Sequence, residues 1–320
     1  MPATRSSWPS STPAGTVTVS DEVSVTRPIS IYGGFAGTER KLSKRNWREH
    51  PTILDGQEIT RCLNLNAKGI LISGVEVYSG KTSPSTGRGG GVYGAKGAQF
   101  TFEDCHFADN LAQGTSGGAI FSDWNAVGII RNCLFTGNQA DISGGAIYAE
   151  LANLTIVNSI FTGNIAMGMV STSGGGAILN KGSTVVIINC NFIQNHADTA
   201  FGGAVHSYYY PTTEIINSIL WGNMAKDAPQ IYDAAYQGVQ PVTIVSYSDV
   251  DQDGYAGRNG NIRQDPLLTN IALEDFRLQA GSPCIDAGTL DALGLPELDF
   301  EGGPRVSGAS VDIGAYEFGN

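Results

Sequence analysis

Charge is scarce in this sequence, and positive charge scarcest. Charged residues make up 15% of the 320, and 19 lysines and arginines face 30 aspartates and glutamates. The formal charge of −11 argues against DNA or RNA as a partner, because most of the surface repels phosphate. A hydrophobic share of 41% with so little charge also excludes a disordered chain. No run of 18 apolar residues exists, so no helix is expected to span a bilayer. The opening MPATRSSWPSSTPAG lacks the apolar stretch of a secretory leader, so an exported form would carry its leader outside this sequence. Cysteine is limited to Cys62, Cys105, Cys133, Cys190 and Cys284, with no C-x-x-C pair, which indicates neither a zinc site nor a disulfide framework. No G-x-S-x-G, H-x-x-x-H or phosphate-cradling loop appears.

Glycine, by contrast, is plentiful: 42 against 13 prolines, with no Gly-X-Y period. That composition suits short strands joined by tight turns and excludes collagen. The glycines are also periodic. Pairs start at Gly90, Gly117, Gly144, Gly175 and Gly202, spaced 27, 27, 31 and 27 residues. Asn110, Asn138, Asn164, Asn195 and Asn223 travel with them at spacings of 28, 26, 31 and 28. Five units in phase define a repeat architecture. Each unit holds short runs of Ile, Val, Phe and Thr broken by Gly, Asn and Asp, without helical periodicity, so the units are strands and turns.

Alignment of the units produces columns. Phe102, Ile130, Ile156, Ile187 and Ile215 share one position. Three residues on come Cys105, Cys133, Ser159, Cys190 and Ser218, and two further Phe107, Phe135, Phe161, Phe192 and Leu220. A step of two keeps one strand face, whereas a step of three slips by one residue. Asp104, Asn132, Asn158, Asn189 and Asn217 occupy the slip, and Asn and Asp tolerate the left-handed backbone of a sharp corner. A chain that turns corners every few residues while like residues stack is an all-β, single parallel β-helix, its coils roughly 4.8 Å apart. The cysteines then form a buried ladder of free thiols, and the stacked amides satisfy one another.

The recurring "GGAI" and "FTGN" resemble the repeat of the polymorphic outer membrane proteins of bacterial surfaces, over roughly residues 89–225. "PISIYGGFAGTE" (28–39) and "PTILDG" (51–56) are similar to the entry segment of such proteins. "GNIRQDPLL", "SPCIDAGT" and "VDIGAYE" resemble their closing segment. The resemblance implies a right-handed coil, as parallel crossovers also do, and a secreted or cell-surface location in bacteria, with leader and anchor outside this sequence. The expected organisation is an N-terminal cap and first coil over 1–50, stacked coils over 51–248, and a C-terminal cap over 249–320, since a bare end coil exposes core and strand edges. The basic run RKLSKRNWREH (40–50) reads as a short capping helix with a solvated face.

Two places invite chemistry. In DVDQDG, Asp249, Asp251 and Asp253 precede Gly254 with the spacing of a calcium loop, but the twelfth position is Gly260 rather than Glu. Ca²⁺ completed by Asp265 or a carbonyl, and a solvated acidic turn, are both open. The column after each "GGA" is Phe121, Tyr148, Leu179 and His206, near Trp124, Trp221 and HSYYYP (206–211). Facing outward, it would line a groove where Trp124, Tyr148, His206, Tyr208, Tyr209 and Tyr210 stack on sugar rings; facing inward, it is core. Catalysis on a uronate needs a base and nearby cations. Lys81, Arg88, Lys96, Arg131 and Lys181 form no recognisable cluster, Asp104 beside Glu103 belongs to a corner, and His206 near Tyr208 is the base to test. The favoured reading is a non-catalytic adhesion or glycan-binding module of a larger surface protein, monomeric, meeting extracellular glycans or host and environmental surfaces. The alternative is a lyase or epimerase acting on an acidic glycan.

Overall fold

A computed structural model describes residues 15–83, 85, 87–170 and 172–319. Residues 1–14 of the expected N-terminal cap lie outside the described residues.

One coil shows the plan. Ile147–Glu150, Asn153–Val157, Ile160–Thr162 and Ile165–Ala166 are four short strands, and Ile178–Lys181 begins the next coil. Each strand pairs in parallel with its counterpart one coil on, as Ile147 with Ile178, Ile156 with Ile187 and Phe161 with Phe192. Repetition builds four parallel sheets, numbered here by the order of these strands: sheets 1 and 2 of eight strands, sheet 3 of nine and sheet 4 of six. The chain is therefore the expected parallel β-helix.

The corners explain the periodic residues. Between sheets 2 and 3, Asp104, Asn132, Asn158, Asn189 and Asn217 all take left-handed backbone, with φ from 46° to 55°. Between sheets 3 and 4, the second column forms a buried chain of amides. Asn110 Nδ2 donates to Asn138 Oδ1 at 2.8 Å, Asn138 to Asn164 at 2.9 Å, and Asn164 to Asn195 and Asn195 to Asn223 at 2.8 Å. Gly80 N donates into Asn110 Oδ1 at one end, and Asn223 donates to Gln230 Oε1 at the other.

The glycine pair makes the corner into sheet 1, and here the alignment needs one correction. Val92 pairs with Ile120, so Gly89 and Gly90, not Gly90 and Gly91, match Gly117 and Gly118. The first glycine of each pair has φ between 63° and 76°. The second abuts the next coil: a Cβ on Gly90, Gly118, Gly145 or Gly176 would lie 2.0–2.4 Å from a glycine carbonyl oxygen. Backbone cannot give way there without parting two coils. Gly145→Ala is expected to cost about 3 kcal/mol, read as a lowered urea midpoint with an unchanged slope; an unchanged midpoint would show that coil spacing is soft.

Inside the coil, Phe107, Phe135, Phe161 and Phe192 stack with centroids 4.5–4.7 Å apart and planes within 6° of parallel. Coil spacing imposes this geometry, since isolated rings favour offset or edge contacts. All five cysteines are buried and unbridged. Burial pushes the Cys190 thiol up to about 12, which leaves it protonated and unreactive.

The basic run departs from expectation. Among residues 40–50 only Leu42–Lys44 forms a 3₁₀ turn, and the run is not a solvated helix face. Arg45 instead reaches Ser73 Oγ at 2.5 Å and Asp104 at 3.3 Å, and Arg48 donates to the Phe300 carbonyl at 2.7 Å. Closure of the last coil of sheet 1 is local: Gln252 Oε1 accepts from Gln230 N and Ile231 N, and its Nε2 donates to Ile231 O, so one side-chain amide replaces a neighbouring strand. Of residues 249–320, expected from the sequence to fold back as the C-terminal cap, 266–318 run back along the flank as a strap. The corner asparagines hold it: Asn217 Nδ2 to Thr289 O, Asn189 Nδ2 to Asp312 O and Gly314 O, Asn158 Nδ2 to Leu298 O. Beneath it Leu134, Ile160, Ile193 and Ile219 of sheet 3 are buried with Leu268, Phe276, Phe300, Ile313 and Tyr316.

Candidate functional site

Strand alternation sets the outward face of sheet 1. Ile120, Ile147, Ile178 and Val205 fill the lumen, so Phe121, Tyr148, Leu179 and His206 point away from it. They stack in register, and Tyr93 and Tyr232 extend the column at its ends. Phe121 and Tyr148 are parallel at 4.9 Å. The column is outward yet mostly covered, because segments leading into the glycine corners fold over it. The Arg88 guanidinium lies 4.8 Å from the Phe121 ring centre. His206 Nδ1 is 3.0 Å from the Ser173 carbonyl. Phe121, Leu179 and His206 are buried, whereas Tyr148 is half-buried.

His206 is consequently a poor base. Burial disfavours its charged form and pulls its pKa down to about 4, so the ring is neutral at neutral pH and sealed from substrate. Tyr148 is also no base: burial, and then Glu150, push its phenol well above the usual range.

Two residues past the aromatic column, the same face carries Glu150, Lys181 and Tyr208 in register. Glu150 accepts from Arg88 Nη1 and from Lys181 Nζ, both at 2.6 Å, and its side chain is 10% exposed. Arg88 and Lys181, which no sequence cluster joined, thus meet beside Tyr148. The repeat held half of this signal: Glu150 and Lys181 are 31 residues apart, as are Gly144 and Gly175.

The corner from sheet 1 into sheet 2 carries the remaining aromatics. Tyr209 and Tyr210 both take left-handed backbone, φ 68° and 60°, which splays three consecutive tyrosines around Tyr236. Tyr236 lies 5.5, 4.6 and 5.6 Å from Tyr208, Tyr209 and Tyr210. Tyr210 is 46% exposed, and Trp124, on the same corner three coils away, is 48% exposed with Lys96 5.7 Å from its ring centre. Three coils correspond to roughly 14 Å along the axis. Trp221 sits elsewhere, half-buried against the strap.

The acidic turn does not gather its carboxylates. Asp249 opens a two-residue strand with its side chain buried; Oδ1 accepts from Gln264 N and Oδ2 faces Cys284 Sγ at 3.6 Å. Asp251 and Asp253 both engage Arg263, at 3.1 and 2.5 Å. Among the described residues no group of three or more His, Cys, Asp or Glu is placed to hold a metal ion.

The chain is 27% identical over 275 residues to a protein of Escherichia coli (strain K12) named "Probable autotransporter YfaL", a match covering 75% of this chain and 20% of that one. It is 32% identical over 117 residues to "Metabotropic glutamate receptor-like protein R" of Dictyostelium discoideum, covering 37% of this chain and 7% of that one. It thus spans a fifth or less of these curated relatives. A solved structure titled "Crystal structure of pectate lyase Pel9A" aligns with 95% of this chain and 86% of its own at 13% identity and a TM-score of 0.30. Residues 30–239 match the family model described as "Right handed beta helix region". With four parallel sheets wound in register across that span, this chain belongs to the right-handed β-helix family.

Proposed function

We propose that this chain is a module of a bacterial surface protein that binds glycans along the outward face of sheet 1 and its corner, without catalysis. The observation that carries this is the partly open aromatic edge: Trp124 and the tyrosines around Tyr236 flank Tyr148 and the Arg88–Glu150–Lys181 set on one side of the solenoid. Aromatic faces stack on sugar rings, and charged neighbours meet hydroxyl or acidic groups. Similarity to a probable autotransporter, and to the polymorphic outer membrane protein repeat, supports a cell-surface setting. No described helix is long and apolar enough to cross a membrane.

One observation favours an enzyme acting on an acidic glycan: Arg88 and Lys181 converge, as neutralising a uronate requires. Against it, Glu150 already holds both cations, and neither His206 nor Tyr148 is suited to take a proton.

The test is a panel of neutral and acidic polysaccharides scored by retention and by ultraviolet absorbance of unsaturated uronate. Retention without new absorbance is expected. Tyr210→Ala should weaken retention about fivefold, since one aromatic contact contributes roughly 1 kcal/mol. Lys181→Ala should weaken acidic glycans and leave neutral ones unchanged. New absorbance would replace the binding reading with the enzyme, and no retention of any glycan would remove both.

A further inference from the structure

We propose that Asn259–Gly260 is a self-modifying site: the Gly260 backbone nitrogen attacks the Asn259 side chain, water replaces the lost amide, and the product unlocks the closure of the last coil.

This dipeptide is the single Asn-Gly in the sequence. Glycine after asparagine leaves the attacking nitrogen unshielded, since no side chain stands beside it. The fold fixes that glycine in place. Gly260 has φ 74°, and a Cβ there would lie 2.7 Å from the Tyr247 ring. Asn259 is exposed, with left-handed backbone at φ 50°. Its Nδ2 makes one long hydrogen bond, to Val245 O at 3.3 Å. Among the described residues no hydrogen bond engages the Gly260 N–H.

Two corner asparagines supply the contrast. Asn158 and Asn217 are also followed by a small residue, serine, and their φ values are 46° and 50°. Both are buried, and the strap holds their amides through Leu298 O and Thr289 O. The nitrogen that would attack is committed in each: Ser159 N to Cys190 Sγ at 3.4 Å and Ser218 N to Ser248 Oγ at 3.1 Å. Similar backbone turns thus differ in access to the following N–H, and only Asn259 has that access.

The reaction balances with water as its co-reactant. Gly260 N gives its proton to a solvent base and bonds to Asn259 Cγ; the Cγ–Nδ2 bond breaks, and the nitrogen takes up a proton and leaves as ammonia. Water then opens the five-membered imide. Attack at Cγ yields aspartate. Attack at the backbone carbonyl carbon yields isoaspartate, whose main chain runs through the side chain and is one methylene longer.

That methylene falls where register matters. Residues 259–262 lie beside the end of the last strand of sheet 2, Val242–Ser246, and the corner after it, in place of a further coil. Tyr247 N donates to Asn259 O at 2.9 Å, and Val250 N to Ile262 O at 3.0 Å. Between them Ser248 N donates to Asn261 Oδ1 at 3.0 Å, and Asn261 Nδ2 to Val245 O at 2.9 Å. A lengthened link between 259 and 260 cannot keep the first of these contacts together with the others. The strand whose edge it frees already exposes Val242 and Ile244, and a free apolar edge pairs with other strands.

Peptide mapping of the full chain by mass, after incubation at pH 6.0 and 8.0, tests this. Conversion of Asn259 is expected at least tenfold faster than that of Asn158 or Asn217, and within tenfold of its rate in denatured chain. It should quicken at pH 8.0, because the attacking nitrogen must lose its proton. Hydrogen exchange of the converted fraction should show lost protection over 245–250, with coil peptides from 120–220 unchanged. Asn259→Gln, whose longer side chain cannot close the five-membered ring, should keep both its mass and its protection. If that variant does not fold, wild type before and after conversion supplies the same comparison. Folded Asn259 converting more than tenfold slower than denatured chain, comparable conversion at Asn158 or Asn217, or intact protection over 245–250 after conversion would overturn the proposal.

Discussion

Asn164→Ala is expected to lower stability by about 4 kcal/mol, far more than an ordinary polar-to-alanine change. The Asn164 side chain makes four hydrogen bonds without reaching water. Its Oδ1 accepts from the backbone N and the Nδ2 of Asn138, at 3.1 and 2.9 Å, and its Nδ2 donates to Phe135 O and Asn195 Oδ1, at 3.0 and 2.8 Å. Truncation strands two buried donors on Asn138 and withdraws a donor from two acceptors, and each unsatisfied group costs about 1–3 kcal/mol. The comparison is Asn132→Ala, at the other asparagine corner. There the amide makes one contact, to Asp104 at 3.4 Å, and the main loss is tolerance of φ 53°, about 1 kcal/mol. Urea unfolding of both variants would check the pair. Equal losses would mean that the buried amide chain contributes no more than backbone conformation does.

Arg305→Ala is expected to release the strap while the coils stay folded. The guanidinium is almost wholly buried and donates to Ala315 O at 3.0 Å, Tyr316 O at 2.9 Å and Glu317 Oε2 at 3.2 Å, with a weaker reach to Asn158 Oδ1 at 3.4 Å. Its loss leaves Glu317 buried without a counter-ion, a change that costs about 3–5 kcal/mol. That penalty falls on the strap, because the coils close their own hydrogen bonds through strand pairing. Rapid tryptic cleavage at Arg277 is expected, together with a strand signal in circular dichroism that persists to the wild-type coil transition. Arg305→Met with Glu317→Gln should recover part of the loss, since the pair then disappears without stranding a charge. Loss of strap and coils in one transition would instead show a single cooperative unit.

The sequence by itself determined the β-helix, its corners and its interior ladders. In-register parallel stacking places each residue above its equivalent one period away, so the columns Phe107–Phe192, Asn110–Asn223 and Asp104–Asn217 can be read from spacing alone. The Gly89 shift escaped only because Gly89, Gly90 and Gly91 offer two pairs, and pairing of Val92 with Ile120 chooses between them. Tertiary structure decided what covers those columns. Phe121, Leu179 and His206 face outward as one alternative held, yet covering segments bury them, and periodicity carries no information about an aperiodic lid. It also decided that Arg88 meets Lys181 over Glu150, that Asp249 turns away from Asp251 and Asp253, and that the strap lies on the flank. Each depends on where a non-repeating segment lands on a surface tens of residues away. A one-dimensional stack writes its own contacts into the period of its sequence, and contacts between segments that do not repeat are written nowhere but in the fold.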